Sequence, residues 1–170
     1  TIYLFDRPNS PQSILMAGEM GPQRNSPDYY AVSVMNADLG GMFDSRLNLD
    51  LRERHAYTYG ANSGYAFRRV PLPSTFTAST AVVTPKTDSA LLNMVSDIRG
   101  IRGEQPITAD ELKLARDNLT LSLPLRFEGV SSQAAAVAGL LCDNLPLDYW
   151  DKYTGNINAV SAATATAAAT

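Results

Sequence analysis

One cysteine, Cys142, and one histidine, His55, are present in 170 residues. A lone thiol excludes an internal disulfide, and with a single imidazole it leaves no set of zinc ligands at finger or turn spacing. No apolar run approaches the length that spans a bilayer. The chain opens on "TIYLFDRP", which reads as a strand and not as a charged start followed by an apolar stretch, so it carries no signal-peptide pattern. A basic surplus is missing too: the formal net charge is -3, which argues against a nucleic-acid partner. "DLGGMF" lacks the lysine and the spacing of a phosphate loop, and Gly40-Gly41 reads as a helix stop. The serines have no histidine-plus-acid set, because His55 would have to serve all of them. No self-sufficient active site is legible.

What is present is a chain that is 45% apolar and 18% charged, the composition of a folded domain with a real core. We read residues 1–170 as one domain. The start without methionine and the unstopped helical tail "SAATATAAAT" suggest a piece of a longer polypeptide, with its last helix cut. Cys142 lies in "AAAVAGLLCDNL" and reads as a small buried core residue. Sparse cysteine fits cytosol and periplasm equally.

Strands are predicted over 2–6 and 12–18. Ser26 and Pro27 then open a helix that runs to Leu39. A second helix covers 42–54, with Phe43, Leu47 and Leu51 as its buried stripe. The period then changes to two. Tyr57, Tyr59, Ala61, Ser63, Tyr65 and Phe67 fall on one strand face, and the glycines between them suggest a bulge or close approach by another backbone. A strand over 75–83 follows. Thr84 and Pro85 open a further helix. "TADE" at 108–111 is a capping box, and its helix reaches Leu123. An Ala-rich helix spans about 129–143. Strands in linked pairs and helices in blocks give an α+β class, a mostly antiparallel sheet with helices packed on one face.

"LRERHAYTYG", residues 51–60, gathers Arg52, His55, Tyr57 and Tyr59 where a helix gives way to a strand. His55 reads as a partly exposed helix-terminal residue favouring the negative end of the helix dipole. Arg52 offers a planar fork of donors, and each tyrosine offers one O–H on a rigid ring. Together they could grip a peptide carbonyl or a chain end. They could equally be a solvated surface arginine and strand-packing rings, and spacing alone favours that plainer reading.

The blocks "SPDYYA", "LGG-F-SRL", "LRE" and "YTYGA", in that order and spacing, resemble the C-terminal type of domain in the insulinase/pitrilysin-like zinc peptidases, to which mitochondrial processing peptidase belongs. The late segments "TADELKLARDNLTLSLPLRFE" and "LPLDYWDKY" share that character. The resemblance implies the metallohydrolase fold of LuxS and the processing peptidases. It implies that zinc is held by H-x-x-E-H in another domain or subunit, and none by this chain, which lacks that motif. It also implies a peptide substrate in a chamber closed by that zinc-bearing partner, with homo- or heterodimers open. In the family, an arginine and a tyrosine seven residues later contact the substrate backbone. Arg52 and Tyr59 match them, and Tyr57 falls at a variable position as an accessory candidate. Alone, the chain would cleave nothing. Family analogy points to the periplasm, with the cytoplasm left open. A non-catalytic interaction subunit of the same fold is the alternative.

Overall fold

Three antiparallel strands form the sheet: β1 (Gln12–Gly21), β2 (Thr58–Ala66) and β3 (Ser74–Val83), in the order β1-β3-β2. The computed structural model describes residues 8–68 and 72–169. The strand predicted over 2–6 lies outside them. On β3, Ser74, Phe76, Ala78, Thr80 and Val82 are buried, while the intervening side chains are at least partly exposed. This period-two alternation is expected of an antiparallel sheet with one covered face. On β1, Leu15 points into the core and Ile14, Met16 and Met20 point out.

The helices are α1 (Tyr29–Asn36), α2 (Arg46–Asn48), α3 (Thr87–Gly100), α4 (Ala109–Leu121), α5 (Val130–Cys142), α6 (Tyr149–Ala159) and α7 (Ala162–Ala167). Two of them end in a widened, π-type turn: α1 continues through Ala37–Gly41, and α2 through Leu49–Arg54. Leu39, Leu47, Leu51, Met94, Ile101, Ile157, Val34 and Val82 are fully buried between helices and sheet. Each such side chain contributes roughly 1.5–3 kcal/mol by leaving water. The architecture is the expected α+β class.

Local chemistry corrects several boundaries. The Thr108–Glu111 capping box forms as predicted. Ser26 does not cap a helix at Pro27. Its hydroxyl accepts the Asp28 N–H at 3.2 Å, and α1 starts at Tyr29. Thr84 does not cap α3 either. Its hydroxyl donates to the Ser10 carbonyl at 2.7 Å, and a short 3-10 turn, Thr84–Lys86, precedes the helix. α4 stops at Leu121, short of Leu123, and Pro124 sits in a 3-10 turn. Cys142 is exposed and not a core residue. Leu140 takes the inward position of α5, and two residues further on is about 200° around the helix.

Candidate functional site

Leu47 and Leu51 anchor the segment that carries the candidate site, buried as their four-residue spacing predicts. Phe43 does not join that stripe. It precedes α2, is 64% exposed, and its ring lies 4.5 Å from the Arg52 guanidinium carbon. A cation over an aromatic face gains roughly 0.5–1 kcal/mol at an exposed site. Arg52 keeps 33% of its side chain in solvent and pairs through Nε with the exposed Glu53 carboxylate at 3.4 Å. Its remaining guanidinium edge has no other hydrogen bond among the described residues.

The reversal after Arg52 is tight and unusual. The Ala56 N–H donates to Arg52 O at 3.0 Å, and the Tyr57 N–H to Leu51 O at 2.9 Å. Each link is one residue wider than in the common glycine-ended helix stop. Ala56 has φ 52, the left-handed region where glycine usually sits. His55 is half-buried at this terminus, as expected, and its Nδ1 lies 3.0 Å from the Asp50 carbonyl. Tyr57 stacks on His55, with centroids 5.0 Å apart and planes at 26°.

β2 then departs from the predicted alternation. Thr58 faces Val82 and Ala61 faces Thr80, so two residues, Tyr59 and Gly60, stand opposite Ala81 alone. This is a β-bulge. Thr58, not Tyr59, shares the inward face with Ala61 and Ser63, and Tyr59 is pushed out until it is 92% exposed. The Gly60 backbone groups are satisfied locally. The Thr58 hydroxyl accepts the Gly60 N–H at 3.1 Å, and the Thr80 hydroxyl donates to Gly60 O at 3.0 Å.

The widened turn of α1 closes the other side. Asn36 and Ser63 exchange two hydrogen bonds, Asn36 Nδ2 to Ser63 O at 3.3 Å and Ser63 Oγ to Asn36 Oδ1 at 2.9 Å. Gly40 is more than a helix stop. A Cβ there would meet Ser63 N at 2.6 Å and Leu47 Cδ1 at 2.9 Å, so only glycine lets the turn approach β2.

These elements frame an open cavity of about 390 Å³ lined by Gly40–Phe43, Asn48, Arg52 and Tyr59–Asn62. Arg52 and Tyr59 also line a smaller space of about 210 Å³ with Tyr57, Val83 and Gln12. The pair thus forms the ridge between two concavities, while Tyr57 belongs to the second only. Sequence spacing does not mark Phe43 or Asn48 as part of this wall. The polar Asn48, set beside the Leu47–Leu51 stripe, was the one available signal.

Beneath this wall a polar network fixes the turn. Asp50 accepts from Arg54 Nη1 at 2.8 Å and from Asn93 Nδ2 at 3.0 Å. Asp97 of α3 lines a cavity of about 450 Å³ with Asp50, Arg46, Arg54 and Glu111. Burial, and then the Asp50 charge, lift the Asp97 carboxyl to about 7. Arg46 pairs with the buried Asp38 at 2.9 Å and with Glu111 at 2.8 Å, and donates to Pro106 O at 3.2 Å. Burial still lifts Asp38 to about 6 against the pull of Arg46. Burial also pushes Glu111 upward, but its bonds from Thr108 and Arg46 win and its pKa falls. Among the described residues, no three of His, Cys, Asp and Glu come together in a metal-holding group, and no helix is long and apolar enough to cross a membrane.

The family model for the Peptidase M16 inactive domain matches residues 2–119. No curated protein matches the chain. A peptidase M16 inactive domain from Pseudomonas fluorescens superposes with a TM-score of 0.85 at 26% identity, covering 94% of this chain and 37% of its own. A protease from Helicobacter pylori gives 0.79 at 18% identity, with 93% of this chain and 37% of that one covered. The periplasmic protease PqqL from Escherichia coli gives 0.71 at 17% identity, with 95% and 18% covered. This chain therefore spans little more than a third of the first of these proteins, and less than a fifth of the last. With two thirds of its length matched, the chain belongs to the family of Peptidase M16 inactive domains.

Proposed function

We propose that this chain is the substrate-gripping, metal-free half of a zinc endopeptidase, working in a chamber completed by a domain or subunit that bears H-x-x-E-H. The observation that carries this reading is the shared ridge: Arg52 and Tyr59 reach the same open cavity from a helical turn and a strand. The Tyr59 hydroxyl has no hydrogen-bond partner among the described residues, and the Arg52 guanidinium holds only the exposed Glu53 carboxylate and the Phe43 ring, contacts that a ligand can displace at small cost. An extended peptide laid over the ridge would offer a carbonyl oxygen to the Arg52 fork. A charge-assisted bond of this kind contributes roughly 1.5–3 kcal/mol. Zinc, bound by the partner, would supply an activated water and polarise the scissile carbonyl. Tyr59 would then donate to the oxygen that gains negative charge, an interaction that strengthens in the transition state. Tyr57 remains an accessory that shapes the neighbouring concavity. The periplasm, where the Escherichia coli relative resides, is the compartment we favour.

The test uses the complete protein with its zinc-bearing part. Arg52→Ala and Tyr59→Phe should each lower peptide turnover by an order of magnitude or more, with unfolding midpoints unchanged. Unaltered turnover in both variants refutes the assignment.

A second reading is a non-catalytic interaction subunit, with which the family's description as an inactive domain is equally compatible. It requires that neither the rest of the polypeptide nor its partner carry H-x-x-E-H, and it predicts that the purified assembly holds no stoichiometric zinc.

A further inference from the structure

Asn48 is 4% exposed, an amide sunk beside the Leu47–Leu51 stripe with its head group at the wall of the 390 Å³ cavity. Its Nδ2 donates to the Phe43 carbonyl at 2.7 Å. Its Oδ1 accepts the Ala61 N–H at 3.1 Å. This orientation is fixed by chemistry, since a carbonyl must meet the NH2 and an N–H must meet the oxygen. Ala61 is the residue at which β2 returns to register after the bulge that expels Tyr59. Phe43 is the residue whose ring carries the Arg52 guanidinium. One buried side chain therefore holds both supports of the ridge.

We propose that Asn48 is a positioning residue that sets the spacing between Arg52 and Tyr59. This rests on the proposed role of that pair and extends it inward. The physical need is clear. Arg52, with 33% of its side chain in solvent, and Tyr59, 92% exposed, are long side chains on two different elements, and no hydrogen bond or ring contact between them fixes their separation. Placing two donors on one substrate oxygen demands tolerances well below an ångström, and a shift of about 1 Å can cost on the order of 100-fold in rate. Phe43 itself is exposed, so its ring is held chiefly through its backbone, and that backbone carbonyl is tied to Asn48. The bulge has threonine partners at Gly60, but at Ala61 the outward N–H has Asn48 alone. Asn48 does not meet substrate in this scheme; it acts through the two groups that do.

The experiment is a double-mutant cycle in the complete protein, read as kcat/KM on a peptide substrate. Asn48→Ala removes both bonds. Asn48→Asp keeps an acceptor for the Ala61 N–H but sets a carboxylate oxygen against the Phe43 carbonyl, so it severs one support. It carries the cycle if the alanine variant does not fold. Asn48→Ala should lower kcat/KM on the order of 10-fold in the wild-type background, and about 3-fold or less beside Arg52→Ala or Tyr59→Phe. Hydrogen exchange should quicken at the Ala61 amide in Asn48→Ala and not in Asn48→Asp. An equal loss in all three backgrounds overturns the proposal, because Asn48 then acts on folding and not through the pair. Wild-type turnover in Asn48→Ala overturns it as well. Wild-type turnover in both Arg52→Ala and Tyr59→Phe instead removes the reading of the ridge. Those two variants are measured before Asn48 is changed, so the two failures are told apart.

Discussion

At the scale of single residues, the site is held by groups in states they would not choose in isolation. Ala56 sits at φ 52 with a Cβ that crowds the following carbonyl, a cost of roughly 1–2 kcal/mol. Ala56→Gly should therefore raise stability by about 1 kcal/mol, read as a shift of the urea midpoint at constant slope. Asp97 is the second case. Its pKa is lifted from 3.8 to about 7, by burial first and by the Asp50 charge second. A carboxyl with a raised folded-state pKa favours the fold most below its unfolded pKa. That advantage is lost as pH rises from about 4 to about 7. Asp97→Asn, which stays neutral, should have a higher melting temperature than wild type at pH 8 and a shrinking advantage as pH falls toward 5. Melting curves of both proteins across that range provide the check, and a pH-independent difference would refute it.

At the scale of elements, α2 and its widened turn are riveted to the start of α4 by one guanidinium. Arg46 reaches Asp38, Glu111 and the carbonyls of Gln105 and Pro106. Asp38 is 1% exposed, so removing its partner strands a buried carboxyl. Arg46→Ala should cost about 3 kcal/mol in urea unfolding, and Arg46→Lys should recover little, since a single ammonium cannot span four acceptors. The sequence carried the capping box and the Leu47–Leu51 anchor because each depends on neighbours within a few positions, whereas the order β1-β3-β2 rests on β1 pairing with β3 across all the intervening chain. The sequence did not carry the bulge at Tyr59–Gly60, since that is a counting relation between β2 and β3, consecutive strands whose residue-by-residue pairing is set only in the fold. The same holds for Phe43, which looked like the first member of a helical stripe and is held out as a platform for Arg52. Ser26 and Thr84 have the composition of helix caps, yet their hydroxyls bond the Asp28 N–H and the distant Ser10 carbonyl. Arg52 and Tyr59 were nameable from the family pattern, but their common cavity is a tertiary fact.

At the scale of the molecule, the sheet and helix core are complete without any metal-holding group among the described residues. If zinc resides in another part of the protein, stability and activity should separate. Treating the complete protein with a chelator should abolish peptide turnover while hydrogen exchange along β3 stays as slow as before. Faster exchange there would mean that the metal also holds this domain together. Strand pairing adds a last consequence. Because β2 faces β3 normally from Ala61 to Ala66 and again at Thr58, the two halves of the strand differ by a single surplus residue. Excising Gly60 would heal the ladder, set Tyr59 opposite Ala81 on the wet side, and leave every later pairing intact. One codon separates a gripping ridge from an ordinary sheet margin, so a relative could shed the grip and keep the fold.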